Sequence, residues 1–253
     1  MTPRATNLDE PAEHLAPVPS APLERLLRAG DPLPDAATVA SETAGAIART
    51  RRALADAAGG DATCVAAHSV YAAPWGPVNL AVSAAGVVAV SLREPEAAFV
   101  ADVERRLHGR VVPLADPAVP TAWRALMDRT MAELDEYFAG RRDSFDLPVD
   151  LAGISDWDRA VLGGAARLRF GEVTSYGRLA RMIGRPGAAR AVGGALGRNP
   201  VPIVIPCHRI LAGDGSLGGY GGGWTGTREE MLGIKRSLLA GEGVPIPAAA
   251  LVG

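Results

Sequence analysis

Between Thr174 and Arg209 the chain reads TSYGRLARMIGRPGAARAVGGALGRNPVPIVIPCHR, and the fold turns on how that stretch divides. A short helix is expected after Thr174-Ser175, ending at Gly184. Arg185-Pro186-Gly187 is a turn. Ala188 to Gly197 then forms a second short helix of small residues, apart from Arg190, Val192 and Leu196. Two short helices around a Pro-Gly turn have the form of a helix-turn-helix. Next comes Pro200-Val-Pro-Ile-Val-Ile-Pro206, where three prolines bracket a β-branched run. This reads as a stiff, extended arm that pairs poorly into a central strand. It delivers Cys207 directly before His208 and Arg209.

Working outward, Ser155 stands three residues before Asp158, a capping-box-like start to a helix running to about Leu168 with Trp157, Val161 and Leu168 inside. Downstream, Thr227 and Glu230 fit the S/T-x-x-E box. Met231, Leu238 and Leu239 supply an inner face, and Gly241 ends that helix. Upstream, from about Thr63 to Leu151, strands precede helices. Val78–Ser83 and Val87–Leu92 are joined by Ala84-Ala85-Gly86 as a hairpin. Phe99, Val103 and Leu107 share one helical face, as do Trp123, Met127, Leu134 and Phe138. Asp35–Ala58 has helical spacing (Val39, Ile47, Leu54) ended by Gly59-Gly60, whereas Met1–Pro22 is Pro- and Ala-rich and reads as disordered. The expected organisation is an extension over 1–62, a small α/β unit over 63–151, a mostly helical unit over 152–245 and a tail over 246–253.

The formal net charge of −2 over 253 residues leaves no global footprint for nucleic acid, so charge location matters more than charge total. Arg169, Arg178, Arg181, Arg185, Arg190, Arg198 and Arg209 face a single acid, Glu172, in that stretch. They read as a solvated basic face or as a local phosphate-binding patch. Cys64 and Cys207 lack CxxC or Cys/His ligand spacing, so no zinc site or disulfide framework is expected. The N-terminus lacks the apolar core of a signal peptide, and no apolar run is long enough to span a bilayer. A cytoplasmic protein without membrane attachment is expected.

A free thiol has a pKa of about 8.5 and is only slightly ionised at neutral pH unless cationic or hydrogen-bonding neighbours help. The groups flanking Cys207 make it the candidate nucleophile. Cys64, in an apolar run, reads as structural. On an extended backbone adjacent side chains diverge, so His208 is expected to reach Cys207 through a water rather than directly. His14, His68 and His108 read as structural or exposed.

Phe170-Gly-Glu-Val-Thr-Ser-Tyr176, Ala188-Ala-Arg-Ala-Val-Gly-Gly-Ala195, Asn199-Pro-Val-Pro202, Ile205-Pro-Cys-His-Arg209, Gly219-Tyr220 and Glu242-Gly243 stand in one order along the chain. In order and near spacing, this set resembles the O6-alkylguanine-DNA alkyltransferases, over roughly Thr63 to Gly243. The resemblance implies a small ribonuclease H-like sheet with helices, followed by a mostly helical domain containing the helix-turn-helix. It implies single-turnover transfer of an alkyl group from O6-alkylguanine, and from O4-alkylthymine, in double-stranded DNA. Cys207 would be the acceptor, activated through a water by His208, which Glu242 orients, with Asn199 bracing the site. Tyr176 would hydrogen-bond guanine N3, and Tyr220, Gly221, Ile210 and Trp224 would line the base pocket. The carbonyls of Cys207 and Ile210 would read the exocyclic amine. Arg190 would enter the base stack, with Ala189, Gly193, Gly194, Thr174 and Ser175 against DNA in the minor groove. No metal or organic cofactor is implied, and a monomer is expected.

Two departures stand out. Gly221 replaces a small hydroxyl residue that the family commonly has, and Trp224–Ile234 is longer than the usual link, predicting an extended loop and helix start near the pocket mouth. Other readings are a lesion-binding protein without transfer, a Cys-dependent hydrolase, and a transcriptional regulator using the helix-turn-helix alone.

Overall fold

The computed structural model describes residues 64–221 and 226–245. The expectations for 1–62, His14, Trp224 and the tail from 246 therefore lie outside the described residues. Four strands form the first sheet: β1 (Cys64–Ala73), β2 (Gly76–Ser83), β3 (Gly86–Leu92) and β4 (Arg110–Pro113), in the order β3-β2-β1-β4. β1 to β3 are antiparallel neighbours, and β4 returns parallel to β1. The parallel return requires a crossover, which helix α1 (Glu96–Leu107) supplies.

Alternation along the strands assigns each sheet face to one helix. Ala66, Ala81 and Val88 pack with Phe99, Val103 and Leu107 of α1. Ala67, Leu80, Val82 and Val87 lie in the larger core with Trp123, Met127 and Leu134 of α2 (Thr121–Phe138). Both helical faces match the sequence periodicity. The Ala84-Ala85 turn between β2 and β3 is as expected, with Ala85 N–H donating to Ser83 Oγ at 3.1 Å. Gly86 is required there, because a Cβ would stand 2.4 Å from the Pro148 carbonyl oxygen and φ is +149°. Strand β3 is the sheet's outer edge. Its N–H groups are met by chain from elsewhere, Val87 by Pro148 O and Val90 by Pro200 O, both at 2.8 Å.

The second half of the chain is helical: α3 (Asp156–Ala165), α4 (Tyr176–Met182), α5 (Ala189–Gly197) and α6 (Arg228–Gly241). Ser155 caps α3 by accepting from Asp158 N–H at 3.1 Å. The helix stops at Ala165, three residues short of the expected end, because single-turn hydrogen bonds from Arg167 and Leu168 tighten the chain there. Thr227 and Glu230 form the reciprocal capping box of α6. Helix α6 thus starts within the 224–234 stretch, at the cap read from Thr227 and Glu230, while residues 222–225 lie outside the described residues. Val161, Leu162, Leu179, Ala180, Val192 and Ala195 form one core with the sheet residues that face α2. Among the described residues no helix is long and apolar enough to cross a membrane.

The candidate active site around Cys207

The arm that carries Cys207 is folded rather than extended, and that expectation is corrected. Pro202 and Ile205 form an isolated bridge, Ile205 N–H donates to Val201 O at 2.9 Å, and Cys207 N–H donates to Ile205 O at 2.8 Å. Ile203 sits at φ +75°, a conformation costing a β-branched residue roughly 1–3 kcal/mol. Asn199 holds this turn from inside. Its Nδ2 donates to Ile205 O at 2.9 Å and its Oδ1 accepts from Val201 N–H at 3.0 Å. Satisfying two buried backbone groups with one amide stabilises the turn against its own strain.

Cys207, His208 and Arg209 form a single turn of 3-10 helix. The argument from divergent side chains on an extended strand therefore does not apply. Within this turn His208 Nε2 lies 2.8 Å from Glu242 Oε1. His208 is 0% exposed and Glu242, at the C-cap of α6, 5%. Charge counting along the sequence misplaced Arg209. It is buried, with Nε and NH2 donating to Glu242 at 2.8 to 3.1 Å and NH1 to Leu168 O at 2.6 Å. Arg198 is likewise paired, donating twice to Asp158 (3.0 and 2.6 Å). Arg169, Arg178, Arg181, Arg185 and Arg190 remain exposed.

Two further side chains enter this site that sequence reasoning did not single out. Tyr137 of α2 donates its phenol O–H to Glu242 Oε1 at 2.7 Å. Lys235 of α6 is 0% exposed, and its Nζ donates to the carbonyls of Ile210 (2.5 Å), Leu217 (2.7 Å) and Gly219 (3.2 Å). The only sequence trace of Lys235 is its position among the inner residues of α6, between Ile234 and Leu238.

Burial would raise the carboxyl of Glu242. Hydrogen bonds from His208, Arg209 and Tyr137 reverse that and hold it down to about 2. Burial lowers His208 despite Glu242, so the imidazole is neutral. Burial also pushes the Cys207 thiol up, against the hydrogen bond from Asn199, the charge of Lys235 and nearby backbone N–H groups. Both shifts favour the neutral thiol and the neutral imidazole at rest. Burial brings Lys235 down to about 8. Because the folded value for Glu242 lies below the unfolded value of about 4.3, its stabilisation is complete above that pH and is lost as pH falls through about 2. The urea midpoint should consequently drop between about pH 5 and pH 2, and it should drop less in Glu242→Gln.

The other expected site residues fall in three places. Tyr176 opens α4, half-buried, with its hydroxyl 3.4 Å from both the N–H and the carbonyl of Gly219. A Cβ on Gly218 would come within 3.1 Å of the same phenol oxygen. Arg190 and Gly194 are exposed on α5, Ala189 and Gly193 half-exposed, and a Cβ on Gly193 would lie 3.7 Å from the Tyr176 ring. The small-residue face of α5 thus borders the phenol. Thr174 lies in the two-residue strand β5 (Thr174–Ser175), paired with β6 (Ile210–Leu211). Its hydroxyl is buried, which corrects the expectation of a side-chain contact to DNA there. The Ser175 hydroxyl caps α4 by accepting from Arg178 N–H at 3.2 Å. Tyr220 is half-buried against the core, and Gly221 takes φ +66° at the last described residue of that loop. The carbonyl of Cys207 accepts from Ile210 N–H and that of Ile210 from Lys235 Nζ. Cys64 is buried, His68 is buried beside Glu96 at 3.4 Å, and His108 is an exposed left-handed residue ending α1.

Comparison with known proteins agrees with this geometry. Residues 67–151 match the ribonuclease-like domain of 6-O-methylguanine DNA methyltransferase, and residues 156–244 match its DNA binding domain. A methylated-DNA–protein-cysteine methyltransferase of Mycolicibacterium paratuberculosis is 46% identical over 117 residues, which is 46% of this chain and 66% of that relative. The inducible enzyme of that name from Bacillus subtilis is 42% identical over 36% of this chain and 51% of its own length. The aligned region thus spans less than two thirds of these curated relatives. Among solved structures, the O6-methylguanine methyltransferase of Mycobacterium tuberculosis superposes with a TM-score of 0.55 at 32% identity, covering 72% of this chain and 96% of that one. The same organism's protein called OGT, solved in complex with DNA, gives 0.55 and 32%, covering 74% and 99%. On these matches in both halves of the described fold, the chain belongs to the 6-O-methylguanine DNA methyltransferase family.

Proposed function

We propose that this protein repairs DNA by moving an alkyl group from O6 of alkylguanine, and from O4 of alkylthymine, onto Cys207, once per molecule. The observation that carries this reading is the Cys207 thiol beside a buried His208–Glu242 pair, on a strained turn braced by Asn199. His208 Nδ1 is buried with no hydrogen-bond partner among the described residues, which suits a nitrogen that receives the thiol proton through a water.

The transfer is an in-line displacement. A sulfur lone pair forms the S–C bond, the C–O6 bond breaks, and the electron pair stays on the purine. The thiol proton passes through His208 and ends on the base, restoring guanine. Tyr176 can donate to the charge that develops on the leaving purine, a contribution largest in a site that excludes water. The thioether product has no hydrolytic route back, so the reaction stops at one equivalent and requires no cofactor.

The alkylated oxygen is inside the duplex, so the nucleotide must leave the stack, costing a few kcal/mol. Helices α4 and α5 act as a helix-turn-helix whose small-residue face at Ala189, Gly193 and Gly194 approaches the minor groove. Arg190 fills the vacated space, and the exposed arginines 178, 181 and 185 neutralise phosphates. Domain limits at 63–151 and 152–245, a monomer, and a cytoplasmic location complete the reading.

Incubation with a duplex containing O6-methylguanine tests it, by mass measurement of the peptide containing Cys207. One added methyl and a burst ending at one equivalent are expected. Continued turnover would indicate a hydrolase, and an unmodified peptide a lesion-binding protein. Arg190→Ala should slow transfer on the order of tenfold with fully paired duplex, and less when the lesion lies in a mismatch already unstacked. Equal slowing on both duplexes would remove Arg190 from the flipping step.

A further inference from the structure

The α/β unit sends one polar atom into the site of the helical unit. Helix α2 is pinned to the sheet by Trp123, Met127 and Leu134 in the core and by Tyr71 O–H, which donates to Asp135 Oδ1 at 2.7 Å. At its last turn Tyr137 is held among aromatic rings, with Phe138, Phe145 and Phe170 at centroid distances of 5.4, 5.2 and 6.2 Å. Its hydroxyl reaches Glu242 Oε1 at 2.7 Å and stands 3.5 Å from His208 Nε2. Arg209 and Gly171 N–H occupy the rest of the carboxylate, the latter donating to Oε2 at 3.2 Å.

An ionised carboxylate only accepts, so the 2.8 Å contact to His208 requires a proton on Nε2. In a neutral imidazole the lone pair then lies on Nδ1. The orienting carboxylate therefore decides which nitrogen is the base, and whatever fixes that carboxylate acts through it. Arg209 also fixes it, donating to both carboxylate oxygens and to the Leu168 carbonyl. Tyr137 adds a single directional bond at the very oxygen that His208 uses.

Resting on the repair reading above, we propose that Tyr137 is a positioning residue of the transfer reaction. Its phenol O–H donates to Glu242 Oε1, locking the carboxylate so that His208 keeps its proton on Nε2 and presents Nδ1 as the base for Cys207. The α/β unit thus contributes directly to the chemistry of the other unit.

Tyr137→Phe keeps the ring packing and removes only the hydroxyl. Wild type, Tyr137→Phe, His208→Gln and the double variant are compared by single-turnover transfer from an O6-methylguanine duplex, with duplex affinity measured on the same samples. Loss of a hydrogen bond to a charged group should slow transfer on the order of tenfold and leave affinity unchanged. The loss should vanish when His208 is already Gln, because residues acting in one chain are not additive. A wild-type rate in Tyr137→Phe, or the same loss in both backgrounds, overturns the proposal.

If the double variant does not fold, the pH dependence of Tyr137→Phe decides. His208 is faced by Glu242 and Lys235 of α6, Arg209 of its own turn and Tyr137 of α2, and Tyr220 of the following loop acts on Cys207, Tyr137 and Glu242. Removing the phenol donor leaves more of the Glu242 charge to the imidazole, which then holds a proton to higher pH. The acid limb of the transfer rate should therefore move to higher pH, and an unmoved limb overturns the proposal. A wild-type protein that gains no methyl instead refutes the repair reading, and the role of Tyr137 with it.

Discussion

Glu242→Ala is expected to destabilise the protein by about 3–5 kcal/mol, the cost of leaving one member of a buried ion pair without its partner. The carboxylate serves five donors at once: the Arg209 Nε and NH2 groups, the Tyr137 hydroxyl, His208 Nε2 and Gly171 N–H. With it gone, the Arg209 guanidinium retains, among the described residues, the Leu168 carbonyl alone, and the Tyr137 hydroxyl is left buried beside an imidazole 3.5 Å away. Urea unfolding at neutral pH measures the effect. A loss below about 1 kcal/mol, the range of exposed ion pairs, would mean that the network does not hold the C-terminus of α6 to the Cys207 turn. Transfer by the surviving folded fraction should fall as well, since the imidazole loses the group that sets its tautomer.

Cys207→Ala should abolish transfer entirely, the largest activity effect expected for any substitution in this protein. The sulfur supplies the electron pair that forms the new bond, and no neighbouring group can replace it. Cys64, the other cysteine, lies in β1, with its Sγ directed to the Ala66 carbonyl at 3.7 Å. Affinity for alkylated duplex should persist in the variant, because the exposed arginines of α4 and α5 are untouched. Stability should change by only about 1 kcal/mol, as one buried atom is removed. Mass measurement after exposure to O6-methylguanine duplex, with binding measured in parallel, checks both halves. Methyl found on the variant protein would place the acceptor elsewhere.

What could be read from the sequence was mostly local. Ser155 and Thr227–Glu230 act as caps because capping depends on residues three apart. The faces of α1 and α2 emerged from periodicity, because one stripe of each packs on a sheet. The Cys207 arm was misjudged for a reason of the same kind. Prolines and β-branched residues favour extended backbone, whereas the Asn199 amide, bonded to Val201 and Ile205, braces a turn with Ile203 at a positive φ. Arg209 was counted with the surface charges because a sequence does not show which cations are buried against a carboxylate 33 residues away. Glu242 came from family resemblance alone. Nothing in the sequence singles out Tyr137 next to Phe138: its ring is core, and its hydroxyl reaches a carboxylate 105 residues further along the chain.

The hydrogen bond from Val90 to Pro200 has a consequence for how the two halves depend on each other. An outer strand with free N–H groups is a template for pairing with another molecule. Here the residues just before the helical half cover one end of β3, and the cysteine-bearing segment covers its middle. Severed after the first half, the sheet would keep the cover at Val87 but lose the backbone that blocks the middle of its rim. Covalent continuity between the halves thus protects the protein from self-association.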